Sequence, residues 1–166
     1  MSLAVFQGQS WLLQADLDAI CYRLNPSTWL NPHKSWLGLG NYDVNVLAAA
    51  LHTRACDLVW WDKRRQPDTI VTERVLGFIL NTPSSLRLGW LPLPVQRRHW
   101  VALKELQGEE GGFYNLDSKA REAVRIGGRA EFLEFVRGEL EGKEKELFLV
   151  VSSEVQEDAS WRTDSP

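Results

Sequence analysis

Arg98-His99-Trp100-Val101-Ala102-Leu103-Lys104-Glu105-Leu106, followed by Gly108, Gly111 and Gly112 and then by Phe113-Tyr114-Asn115-Leu116-Asp117, is the stretch that decides the fold. Both runs alternate apolar and polar residues, and glycines separate them, which is the pattern of a β-hairpin with one face buried. His99 opens the first strand and Asp117 closes the second, so a histidine and a carboxylate stand at matching ends of paired strands. Such a pair places Nδ1–H against the carboxylate, fixes the tautomer and leaves Nε2 as a general base. Most histidines at a strand start are structural, and spacing by itself does not separate the two readings.

Upstream of the hairpin the periodicity is helical. Leu13, Leu17, Ile20, Cys21 and Leu24 share one face of an amphipathic helix, and Asn25-Pro26 ends it because a residue before proline is pushed out of the α region. A second helix is expected from Asn41–Asp43, with Val44, Leu47, Ala48 and Leu51 as its buried stripe. Asp57 to Trp61 reads as a short strand, Thr72 to Leu76 as one helical turn, and Phe78-Ile79-Leu80 as a buried strand ending at Asn81-Thr82-Pro83. Pro83 to Pro94, punctuated by proline and glycine, reads as a loop. Downstream, Gly127-Gly128 precedes a helix with Phe132, Phe135, Val136 and Leu140 on its apolar face, and Leu147 to Val151 is a last, wholly apolar strand. Helices come first and antiparallel strands later, so the class is α+β. One domain is expected over residues 1–152, with a polar tail over 153–166.

The bulk numbers bound the function. The chain has 166 residues, 44% of them hydrophobic and 25% charged, with a net charge of -3. That is the balance of a globular domain and not of a nucleic-acid binder, so no nucleic-acid partner is expected. The charge is uneven: residues 1–104 hold 11 basic side chains against 7 acidic, and residues 105–166 hold 8 against 15. Cys21 and Cys56 have no CxxC spacing and no neighbouring histidine cluster, so no metal site, cofactor or disulfide framework is expected and a reducing, cytoplasmic setting is. No signal peptide and no apolar run of membrane-spanning length is read. Gly38-Leu39-Gly40 lacks the third glycine of a dinucleotide fingerprint, since Asp43 stands there, and is taken as a turn. Trp60-Trp61-Asp62-Lys63-Arg64-Arg65 and Arg97-Arg98 mix cations with aromatics. Patches of this kind are often solvated strand ends; as binding surfaces they favour protein, and a membrane surface is open but not indicated.

Four motifs in order then carry a resemblance: Gly38-Leu39-Gly40-Asn41-Tyr42-Asp43-Val44-Asn45-Val46, Val59-Trp60-Trp61-Asp62-Lys63-Arg64-Arg65, Arg98-His99-Trp100-Val101-Ala102-Leu103 and Tyr114-Asn115-Leu116-Asp117-Ser118-Lys119. With Trp161-Arg162-Thr163-Asp164 at the end, they resemble the Josephin family of ubiquitin-cleaving cysteine proteases, over about Val5 to Asp164. The resemblance implies a papain-like fold, thiol-dependent hydrolysis of isopeptide bonds, and ubiquitin, polyubiquitin and ubiquitinated proteins as partners. It makes His99 the catalytic base and Asp117 its orienter. The family's nucleophile is a cysteine at the start of a central helix, in a run absent from these 166 residues; Ala4-Val5-Phe6-Gln7 resembles that helix's last turn. Neither cysteine present suits that role, because Cys21 falls on an apolar helix face and Cys56 beside Asp57, settings that disfavour a thiolate. The 166-residue chain is therefore expected to be inactive, and the alternative to an enzyme is a ubiquitin-binding module that does not cut.

Overall fold

The structure, a computed structural model, describes residues 19–20, 44–88, 91–142 and 144–163, with the backbone path alone for 84–88 and 91–97. Among these residues the chain runs through α1 (Val44–His52), β1 (Cys56–Trp60), two 3-10 turns (Pro67–Thr69 and Thr72–Arg74) and β2 (Gly77–Leu88). It continues through β3 (Leu91–Leu106), β4 (Gly112–Leu116), β5 (Val124–Gly127), α2 (Arg129–Leu140), β6 (Glu146–Ser152) and α3 (Ser153–Asp158). The six strands form one sheet in the order β1-β6-β2-β3-β4-β5, and each neighbouring pair is antiparallel. The α+β class holds.

β6 explains why its sequence has no alternation. It lies inside the sheet, Leu147, Leu149 and Val151 pack into the cluster under α2, and Phe148 and Val150 pack into the cluster under α1. A strand covered on both faces must be apolar throughout. β2 and β3 split the same way, with Phe78, Leu80, Val101 and Leu103 on the α2 side and Ile79, Trp100 and Ala102 on the α1 side. On the α2 side Phe132 stacks on Phe113 with ring centroids 4.0 Å apart and lies 4.7 Å from Phe78. Gly127 makes that approach feasible: its φ is +142°, and a Cβ there would come within 2.7 Å of the Glu131 Cβ.

Three expectations are revised. The α1 stripe is Val46, Leu47, Ala50 and Leu51, with Val44 and Ala48 only half-buried; in a run as uniformly apolar as VNVLAAAL, periodicity does not single out the face. Pro83 to Pro94 is not a loop but the outer half of a long β2–β3 hairpin, paired from Pro83↔Arg98 to Leu88↔Leu91. The prolines fit because the third strand stops short. β6 pairs with β2 only over Gly77–Asn81, and β4 pairs with β3 only over Ala102–Leu106. Each proline thus has an edge where a missing N–H costs no ladder bond. The segment after residue 152 does not behave as a tail either. Ser152 Oγ caps α3 by accepting from the Val155 N–H at 3.3 Å, and Val155 and Trp161 are buried. Trp161 meets Trp61 edge-on at 6.1 Å, and Thr163 N–H donates to the Thr69 carbonyl at 2.8 Å. Two apolar residues spaced among polar ones suffice to dock a short segment.

The Leu13–Leu24 helix lies outside the described residues except for Ala19 and Ile20, which are helical, Ile20 being buried. Cys21, His33, Gly38, Gly40 and the Asn41–Asp43 cap also lie outside them.

Candidate active site

The β3–β4 hairpin closes through a turn between Leu106 and Gly112, which are paired. The turn is held outside the ladder: Tyr114 Oη donates to the Glu110 carbonyl at 2.9 Å and Arg125 Nη2 to the Gly111 carbonyl at 3.0 Å. At the other end the last pair is Ala102↔Leu116, and Asp117 leaves the strand there. Its N–H donates to Asn115 Oδ1 at 3.0 Å, and its carbonyl accepts from the Ala120 N–H at 3.0 Å. These bonds turn the chain and fix the direction of its carboxylate.

His99 sits across β2 from Thr82, whose Oγ1 donates to the His99 carbonyl at 3.3 Å. The ring reaches the carboxylate: His99 Nε2 and Asp117 Oδ1 are 2.7 Å apart, with side chains 14% and 28% exposed. The same Oδ1 accepts the Lys119 N–H at 2.9 Å. Burial raises the Asp117 pKa, but the Lys119 amide and the His99 bond outweigh it and hold the carboxyl below its ordinary value. The carboxylate is therefore ionised near neutral pH and accepts a proton-bearing nitrogen.

That nitrogen is Nε2, not the Nδ1 expected from the sequence. Extending the ladder by one step sets Asp117 opposite Val101, so His99 meets it along the diagonal and not straight across. Only the far tip of the ring spans that diagonal. With Nε2 against Asp117, Nδ1 is the ring nitrogen that does not contact the carboxylate.

The cysteine and the other histidine among the described residues lie apart from this pair. Cys56 is buried in β1, where its Sγ lies 3.4 Å from the Arg54 carbonyl. Burial, and after it the Asp57 carboxylate, push its thiol above the ordinary value. His52 Nδ1 faces Asp57 at 3.5 Å and its side chain is 78% exposed. No group of three or more His, Cys, Asp or Glu side chains suited to a metal ion occurs among the described residues.

One cluster beside the pair is, in the sequence, no more than a strand stop. Asn81 is 5% exposed, and its Nδ2 donates to Glu146 Oε2 at 3.3 Å. The Arg98 guanidinium donates to the Glu144 carbonyl and lies 3.9 Å from Glu146. Of the two neighbours of His99, Arg98 is thus tied to the turn before β6, and Trp100 to the sheet interior through its pairing with Asn81. An asparagine ending an apolar run is ordinary punctuation, and no sequence signal separates that case from a buried amide.

The chain is similar to known proteins over most of its length. The sequence model of the Josephin family matches residues 6–151. A Josephin-like protein of Drosophila melanogaster is 47% identical over 151 residues, 90% of this chain and 66% of its own length. Human Josephin-2 is 47% identical over 157 residues, 94% of this chain and 82% of its own. An Arabidopsis thaliana Josephin-like protein is 34% identical over 128 residues, 69% of this chain and 33% of its own. The chain spans just under two thirds of the fly protein and a third of the plant one.

Proposed function

The chain belongs to the Josephin family, and on that footing we propose that it carries the acid–base half of a thiol-dependent deubiquitinase, with His99 as base and Asp117 as the residue that orients it. The observation that carries the reading is the 2.7 Å contact between Nε2 and an ionised carboxylate. It orients the ring and leaves Nδ1 as the nitrogen not engaged by Asp117. In the proposed reaction Nδ1 takes the proton of the attacking thiol, and the thiolate adds to the carbonyl carbon of the isopeptide bond. The resulting imidazolium is stabilised by Asp117 and returns its proton from Nδ1 to the leaving lysine amine. Nδ1 next deprotonates a water that cleaves the thioester and frees the thiol. The partners in this reading are ubiquitin, polyubiquitin and ubiquitinated proteins, and the thiol works in a reducing cytoplasm.

The thiol is assigned to the family's cysteine-bearing segment joined ahead of Val5. Cys56 is excluded as nucleophile by its burial and raised pKa. The test joins that segment from a Josephin protein to the chain and follows cleavage of ubiquitin chains and labelling by a ubiquitin bearing a C-terminal electrophile. Both activities are expected only in the joined protein. His99→Ala should abolish cleavage, and Asp117→Ala should lower it less, since Asp117 transfers no proton. A joined protein that cleaves undiminished after His99→Ala removes His99 from the mechanism. Labelling of the 166-residue chain at Cys56 overturns the thiol assignment. Ubiquitin binding without cleavage by the joined protein favours the binding-module reading.

A further inference from the structure

Trp60 and Trp61 are neighbours with opposite fates. Trp61 is 1% exposed, whereas Trp60 is 66% exposed, although it ends a strand of the central sheet. Between them and the chain that follows lies an open pocket of about 580 Å³, lined by Trp60, Trp61, Asp62, Lys63, Arg64 and Glu146.

The basic rim of this pocket is organised. The Arg65 N–H donates to the Asp62 carbonyl at 2.9 Å, closing a turn. Asp62 Oδ1 accepts the Arg64 N–H at 3.0 Å, and its carboxylate takes Arg64 Nε and Nη2 at 2.7–3.1 Å. Those Arg64 bonds pull the Asp62 carboxyl down to about 2, so the brace stays intact across the physiological range. Beside the exposed indole stand three successive cations: Lys63, half-buried with its Nζ donating to the Gly142 carbonyl at 3.5 Å, Arg64, braced by Asp62, and the exposed Arg65. Counting Arg98 behind Glu146, four cations stand against the carboxylates Asp62 and Glu146.

We propose that this ledge docks an acidic segment of a protein partner, a short stretch whose apolar residue seats on Trp60 while its carboxylates meet Lys63, Arg64 and Arg65. An apolar centre ringed by paired charges is the anatomy of a protein-binding hot spot. The cationic surplus selects an anionic partner. Asp62 and Glu146 within the lining weigh against a phosphate array or an anionic bilayer, whose continuous charge meets both carboxylates, while a peptide places its charges singly.

The ledge and the His99 site lie at the same end of the sheet. Trp60 pairs with Phe148, Glu146 with Asn81, and Thr82 with His99. Three strand spacings of about 4.8 Å separate β1 from β3, and Trp60 stands in the row of Phe148, Ile79 and Ala102, three residues along β3 from His99 and on the α1 face, whereas His99 alternates onto the α2 face with Val101. The docking itself goes beyond the proposed chemistry and is measured without any cleavage.

The experiment uses the whole chain and a fluorescein-labelled twelve-residue probe peptide in which two leucines are flanked by aspartates and glutamates. The comparison probes are the same peptide with lysines in place of the acids, a single-stranded DNA of twelve nucleotides and phosphatidylserine vesicles. The acidic peptide should bind in a salt-sensitive manner. Trp60→Ala and the double change Lys63→Glu with Arg65→Glu should each weaken it about tenfold or more, and Trp60→Phe should restore most of the affinity. Thermal melts of the variants separate lost docking from lost folding: Trp60 and Arg65 are exposed and Lys63 is half-buried at the tip of its turn, and the melts should lie close to the parent's. His99→Ala should bind as the parent does. No binding at about millimolar protein, an unchanged affinity in Trp60→Ala, or DNA or vesicles binding more tightly than the peptide would each overturn the proposal.

Discussion

At one end of the β3–β4 hairpin, Phe113 is 2% exposed and lies flat on Phe132 at 4.0 Å. At the other, His99 and Asp117 meet at 2.7 Å with 14% and 28% of their side chains open to solvent. The same two strands supply both ends, and only the length of β4 separates them. The closed end gains its stability from apolar area removed from water, at about 25 cal/mol per Å². The open end commits two titratable groups to a geometry and leaves them accessible, which a packed core forbids. A rigid frame at one end lets the other hold a defined arrangement without being buried, and the frame and the site should therefore fail independently.

The largest expected effect tests the frame. Phe132→Ala removes the ring that Phe113 and Phe78 pack on and should cost about 3–5 kcal/mol, read as a fall in the denaturation midpoint. A loss below about 1 kcal/mol would mean that the aromatic cluster is not what holds the hairpin.

Gly127→Ala comes next. It forces an alanine to φ +142° and sets its Cβ 2.7 Å from that of Glu131, so about 1–3 kcal/mol should be lost. An unchanged melt would show that the β5–α2 junction relaxes freely and is no part of the frame.

Asp117→Asn tests the other end and should cost only about 1 kcal/mol near neutral pH. Because the folded pKa of Asp117 is depressed, its contribution is present above the unfolded carboxylate pKa and is lost as pH falls through the folded one. The stability gap between parent and Asp117→Asn should therefore close on acidification, and a gap that widens in acid would reverse the assignment.

The smallest effect has the opposite sign. Gly138 lies inside α2 with open space where a Cβ would sit, so Gly138→Ala should stabilise by about 0.5–1 kcal/mol. A loss at Gly138→Ala instead of a gain would show that the space around it is not open to a Cβ.

What could be read from the sequence follows the same division. The alternation on both sides of Gly108–Gly112 marked the hairpin and put His99 and Asp117 at one end of it, because period-2 patterning and strand ends are local properties. The wholly apolar Leu147–Val151 marked a buried strand for the same reason. The identity of the histidine nitrogen was not legible, since it depends on a diagonal across two strands. Neither was the outer β2–β3 hairpin: Pro83, Pro92 and Pro94 argue for a loop until the neighbouring strands are known to stop at Asn81 and Ala102. The docking of Trp161 on Trp61 joins residues a hundred positions apart, and nothing near either one announces it.

The position of β6 bears on how the protein is made. β1 and β2 follow one another in the chain but do not pair; β6 lies between them. From the end of β1 at Trp60 to the end of β6 at Ser152 is about 90 residues. At about 5–20 residues per second on the ribosome, that is roughly 5–18 s of synthesis. Over the later part of it, once β2 is complete, the nascent chain carries two strands with a strand-wide gap between them, a natural target for a chaperone, and the gap closes only when β6 arrives.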